Sequence, residues 1–183
     1  MVESLFAILL SFQAPFFLPG RNPETPEEYR GRMRVIARSI VDESDTELWR
    51  DRSRADLVSM VTVTFYEESH LFLSVHKGRK RGARGRANCL GQIVASPLVP
   101  RSKWRRLHGS DLESTRRCTA ATIELLSHHT DKCVGPKRNL TTRDVAKVFA
   151  GYAKGHSCQP GSRSSHRARQ WAKVRRLLGD TAP

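Results

Sequence analysis

The chain has 183 residues, 38% hydrophobic and 27% charged, enough for one domain with its own core; this composition excludes a wholly disordered chain and a many-spanning membrane protein. Its 32 Lys and Arg outweigh 18 Asp and Glu, a formal charge of +14 that attracts polyanions and says nothing about fold. Nucleic acid, held through its phosphates, and an anionic cell envelope are both partners that such a charge suits.

Residues 1–22 read as an apolar N-terminal segment and 23–183 as a single domain. The apolar stretch from Leu5 to Phe17 is interrupted by Ser11, Gln13 and Pro15. It is too short for an ordinary membrane-spanning helix, and no Lys or Arg precedes it as in a usual export signal. Three readings stand: an atypical export signal, a segment packed on the domain, or a contact site for a partner. The first strong helix signal is Thr25-Pro26-Glu27-Glu28, a capping box with Pro at the first helical position, followed by Tyr29, Met33, Ile36, Ala37 and Ile40 at helical spacing. A second helix is expected over about 54–68. Leu57, Val61, Thr64 and Phe65 lie on one of its faces, with Glu68 at the end of that stripe. Residues 77–88 are basic and Gly-rich, which disfavours regular structure. A short apolar run, Cys89-Leu90-Gly91-Gln92-Ile93-Val94, follows. Helices are then expected over about 114–131, from Thr141 or Thr142 to a stop at Gly155, and over about 165–178. There is no internal repeat and no convincing strand ladder, so the fold class is mainly α.

Cys89, Cys118, Cys133 and Cys158 contain no C-x-x-C pair, which argues against a zinc ribbon or a thioredoxin-like motif. An even number at wide spacing suits two disulfides in an oxidising compartment, and spacing does not choose among the three pairings. The histidines are scattered, with no paired metal spacing. His128-His129 on a helix fits one surface and one half-buried ring better than a ligand pair. No metal and no cofactor is expected.

Three short segments carry the chemistry: Glu68-Ser69, then Cys89-Leu90-Gly91-Gln92-Ile93, then Gly151-Tyr152-Ala153-Lys154-Gly155. In this order they resemble the soluble lytic transglycosylase and goose-type lysozyme superfamily. That family carries an acidic residue before Ser at a helix end, a Gly-Leu-Met-Gln-like turn and an Ala-Tyr-Asn-x-Gly-like segment. Leu90, Gln92, Tyr152 and Gly155 match. Cys89 stands where the family has its first Gly, Gly91 where it has Met, and Ala153 where it has Asn. The resemblance spans about residues 55–175. It implies a lysozyme-like helical domain with a catalytic Glu at a helix C-terminus, and cleavage of the MurNAc-GlcNAc β-1,4 bond of peptidoglycan. Glu68 would be the acid/base, while Ser69, Gln92 and Tyr152 would support the site or contact substrate. It also implies the pairings Cys89–Cys118 and Cys133–Cys158, each worth ~3.5 kcal/mol by loop closure.

The bond to be broken needs a proton on its leaving oxygen, and an exposed Glu with a pKa of about 4.3 has none to give at neutral pH. A wall of Val61, Thr64 and Phe65 is expected to keep Glu68 protonated by desolvation. Glu67 is the rival acid, and the motif's acid-before-Ser order selects Glu68. No second carboxylate stands out. That fits a transglycosylase, in which the sugar's own 6-hydroxyl attacks; an inverting hydrolase needs a second carboxylate, for which Asp111, Glu113 and Asp131 are the available candidates. The implied location is extracytoplasmic, or a phage virion or lysis system, and the implied partners are glycan strands and the anionic envelope. The alternative is a nucleic-acid-binding protein that uses the basic loop and the last helix, Arg167 to Arg176, with Trp171 for stacking. A further alternative is a catalytically inactive virion or structural relative.

Overall fold

The computed structural model describes residues 1–12, 24–79 and 82–179. It is mainly helical. The longer helices are α1 (Val2–Phe12), α2 (Pro26–Glu43), α3 (Arg54–Ser69), α7 (Leu112–Cys133), α8 (Thr142–Lys154) and α9 (Ser162–Gly179); short turns α4 (Leu73–His76), α5 (Gly82–Gly85) and α6 (Arg101–Trp104) lie between α3 and α7. Residues Ala87–Asn88 (β1) and Ile93–Val94 (β2) form a small antiparallel ribbon, with Ala87 opposite Val94 and Asn88 opposite Ile93. No ladder was expected there, because each strand is only two residues long and has no alternation to read.

The capping signals act as the sequence indicates. Thr25 and Glu28 close a reciprocal capping box on α2, Thr141 and Asp144 close another on α8, and Gly155 ends α8 in the left-handed conformation. Asp111 caps α7 two residues before the expected start, its side chain accepting from the Ser114 N–H.

The expected one-sided stripe of α3 is not what the structure shows. Residues 56–65 are buried without interruption, including Val58, Met60 and Val63 opposite the stripe. This helix is the central one, with α2, α7 and α9 packed around it. Its Ser and Thr hydroxyls are satisfied by the preceding turn, as with Thr62 to the Val58 carbonyl and Thr64 to the Met60 carbonyl. Burial of a large side chain such as Phe65 or Phe149 is worth about 1.5–3 kcal/mol.

The N-terminal apolar segment is a helix that packs on α2 and α9, with Leu5 and Leu9 fully buried in the common core. The packed-segment reading therefore describes residues 2–12; the part of the stretch from Gln13 to Phe17 lies outside the described residues. Among the described residues no helix is long and apolar enough to cross a membrane.

Two disulfides, Cys89–Cys118 and Cys133–Cys158, staple the molecule, with Cα–Cα distances of 6.1 and 5.4 Å. The first ties the turn before β2 to α7. The second ties the end of α7 to the segment after α8.

Candidate active site

The end of α3 is fixed from both sides. His70 and Leu71 take positive φ values of 48° and 55°, which stops the helix. The buried Arg32, paired with Glu24, donates from Nη1 to the Leu71 carbonyl at 2.8 Å. Ser69 donates to the Phe65 carbonyl and accepts from the Leu71 N–H at 3.0 Å. Its hydroxyl is thus buried and committed to the helix end. Ser69 therefore shapes the helix end and does not line the cleft that Glu68 lines.

Glu68 lines a cleft of about 860 Å³, together with Gln92 and Tyr152. Residues from 92–98, from α7, from the end of α8 and from the start of α9 also line it. The three segments singled out in the sequence therefore meet in one depression.

Two positions in the Cys89–Gln92 turn are constrained by their surroundings. Cys89 has φ +56°, a left-handed conformation that favours glycine, and here a cysteine anchored by its disulfide adopts it. At Gly91, an added Cβ would lie 2.5 Å from Thr122 Oγ1 and 3.1 Å from the Tyr152 hydroxyl, so no larger side chain fits without movement. Gln92, also at positive φ, is locked at both ends of its amide. Nε2 donates to the Cys89 carbonyl at 2.9 Å, and Oε1 accepts from the Gly82 N–H at 2.8 Å.

Tyr152 projects from α8 and donates its hydroxyl proton to the Gly91 carbonyl at 2.8 Å. Burial, and then the charge of Glu68, push this hydroxyl above the ordinary tyrosine range, so it stays a donor at neutral pH.

The apolar wall expected around Glu68 is not there. Val61, Thr64 and Phe65 are buried in the core, away from the cleft. The Glu68 carboxyl instead meets a cation: Arg167 Nη1 lies 2.6 Å from Glu68 Oε1. The Arg167 side chain is 2% exposed and that of Glu68 21%. The contact is close but not aligned as a hydrogen bond, and among the described residues neither Nε nor Nη1 of Arg167 has a hydrogen-bond acceptor in good geometry. Glu67 sits behind this pair, with Oε2 4.0 Å from Arg167 Nε and Oε1 3.5 Å from His166 Nε2. Glu67 does not line the cleft.

Arg167, expected on the basic surface of the last helix, is buried instead. The signal that it points inward was present: it shares a helical stripe with Trp171, Val174 and Leu178, all buried. The other carboxylates weighed as a second catalytic group lie elsewhere. Asp111 caps α7, Glu113 pairs with Arg117 at 3.0 Å, and Asp131 pairs with Arg52 at 2.7 Å. Among the described residues Glu68 is the only carboxylate lining the cleft. His128 is exposed, whereas His129 is buried and held down to a pKa of about 4, by desolvation first and then by His128. Among the described residues no three His, Cys, Asp or Glu side chains cluster as metal ligands.

Comparisons of this chain with protein-family models, with curated proteins and with solved structures find no match.

Proposed function

We propose that the chain is a peptidoglycan-cleaving glycosidase of the lytic transglycosylase or lysozyme type, with Glu68 as its acid/base. One observation carries this reading: Glu68, Gln92 and Tyr152, from three separate segments, line one open cleft. The cleft is large enough for several sugar rings, and a glycosidic oxygen laid across it comes within reach of the Glu68 carboxyl. Because Glu68 is the only carboxylate among the described lining residues, transglycosylation fits better than inverting hydrolysis. In that reaction Glu68 gives its proton to the leaving oxygen. It then takes the proton of the sugar's 6-hydroxyl as that oxygen closes on the anomeric carbon. The acid step needs a proton on Glu68, so this reading requires the Arg167 contact to give way when glycan binds. Tyr152 holds the Gly91 carbonyl and keeps the Gln92 turn in place beside the carboxyl.

Two disulfides suit an oxidising compartment, which supports an extracytoplasmic or lysis-associated location for this activity and weighs against a nucleic-acid-binding protein of the cytoplasm. The test is turnover of purified peptidoglycan by the wild type, Glu68→Gln and Glu67→Gln, with products read by mass spectrometry. Glu68→Gln is expected to lose nearly all turnover and Glu67→Gln to keep most of it. Anhydro-muramyl ends identify transglycosylation, and reducing ends identify hydrolysis. Equal turnover by Glu68→Gln and wild type would overturn the assignment.

A further inference from the structure

Two consecutive carboxylates at the end of α3 share one guanidinium. Neighbouring residues on a helix point about 100° apart. Glu67 and Glu68 nevertheless both approach Arg167 of α9, with Nη1 2.6 Å from Glu68 Oε1 and Nε 4.0 Å from Glu67 Oε2. The Arg167 side chain is 2% exposed, so water does little to solvate its charge. Its Nε has no acceptor in good geometry among the described residues, and a movement of about 1 Å toward Glu67 Oε2 would give it one. Glu67 stands outside the cleft, and its other oxygen is 3.5 Å from Nε2 of the half-exposed His166. Among the described residues, the other titratable groups that line the cleft with Glu68 are His128 and His129 of α7, Tyr152 and Lys154 of α8 and Arg163 of α9. Arg32 of α2, at the end of α3, is paired with Glu24.

We propose that Glu67 is a positioning residue for the acid step, holding the charge of Arg167 when Glu68 takes up a proton. This rests on the glycosidase reading and adds to it the group that lets Glu68 serve as an acid. With Glu68 alone, carboxylate and guanidinium form a neutral pair, and a proton on Glu68 leaves a buried cation unmatched. With Glu67 present, the cluster carries one negative charge in excess, and the same proton brings it to neutrality. Glu67 thus supplies by charge what an apolar wall around Glu68 would have supplied by desolvation. It touches no substrate and acts only through Arg167 and Glu68.

The experiment follows the Glu68 proton directly, by NMR titration of carbon-13-labelled glutamate carboxyls in the full chain without substrate; Glu68→Gln and Glu67→Gln assign the two resonances. Glu67→Gln is expected to move the Glu68 midpoint down by about one pH unit. Glu67→Asp, which keeps the charge, should leave it near the wild-type value, as should Glu113→Gln, which removes a carboxylate outside the cleft. In the wild type the Glu67 resonance should show a second inflection at the Glu68 midpoint, a reading that needs no variant to fold. In peptidoglycan turnover, the basic limb of the kcat/KM profile should move down with the midpoint in Glu67→Gln, while kcat at the optimum pH stays near wild type. The proposal is overturned by an unmoved Glu68 midpoint in Glu67→Gln, by an equal shift in Glu67→Asp, by the absence of the second inflection, or by loss of turnover at every pH in Glu67→Gln, which would make Glu67 itself the acid. If the midpoint moves as expected and the wild type has no turnover, the glycosidase reading fails and the shared proton stands.

Discussion

Arg167 Nη1 lies 2.6 Å from Glu68 Oε1, and the two side chains come from the last helix and from the end of the central helix. The pair joins α9 to the lining of the cleft at a point where the guanidinium is almost wholly withdrawn from water. Removing one partner of such a pair leaves the other in poor solvation, and that penalty exceeds the net value of the pair. Arg167→Met keeps most of the volume and removes the charge. It is expected to lower stability by about 2 kcal/mol, below the full buried-pair penalty because Glu68 is partly wet. Urea unfolding measures this; a loss under about 0.5 kcal/mol would show the pair to be energetically idle.

The Tyr152–Gly91 hydrogen bond spans the first disulfide-bound turn and α8. Tyr152→Phe leaves the Gly91 carbonyl without this donor and should cost about 1 kcal/mol. Gly91→Ala places a Cβ against Thr122 Oγ1 and the Tyr152 hydroxyl and should cost more. Adding Thr122→Ala to Gly91→Ala removes the closest clash and should recover part of the loss. A double-mutant cycle on unfolding free energies checks this, and strict additivity of the two changes would argue against the steric account.

The two disulfides should be separable by effect. Each closes a loop of similar length, 29 and 25 residues of separation, so loss of either should destabilise by about 3.5 kcal/mol in the chain-entropy account. Their effects on turnover should differ. Cys89 stands within the turn that carries Gln92, so Cys89→Ser with Cys118→Ser should reduce activity even at temperatures where the variant is fully folded. Cys133→Ser with Cys158→Ser should act mainly through stability. Intact mass without reductant, thermal unfolding and peptidoglycan turnover together distinguish the two outcomes.

A buried histidine sets an acid limit on stability. His76 is fully buried, with Nε2 2.8 Å from Thr115 Oγ1. The Thr115 hydroxyl proton goes to the Asp111 carbonyl at 2.6 Å, so Nε2 must donate to Thr115, and among the described residues Nδ1 has no hydrogen-bond partner. Burial, and then the charge of Arg32, lower the pKa of His76 to about 3. The unfolded chain protonates this group near its ordinary value of about 6.5, and the folded chain does not. Stability from this site is therefore fully present above about pH 6.5 and declines as the pH falls toward 3, by about 1.4 kcal/mol per pH unit. His76→Leu, which cannot titrate, should flatten that slope by about one proton between pH 6.5 and 4.5. Identical slopes for the variant and wild type in urea titrations would rule this out.

Local sequence signals determined much of the scaffold. Thr25-Pro26-Glu27-Glu28, Thr141 with Asp144, and Gly155 set helix ends through bonds within a few residues, and such bonds can be read before any tertiary contact is known. The order of Glu68, the Cys89–Gln92 turn and Tyr152 marked the segments that the fold brings to one cleft. Tertiary structure alone decided what surrounds them. Phe65 and Val61 turn into a core closed on all sides of α3, because packing from α2, α7 and α9 overrides a one-sided reading of that helix. The partner of Glu68 is a guanidinium from α9. Electrostatic neighbours far apart in the chain leave no periodicity in the sequence, and only the packing of helices on one another assigns them.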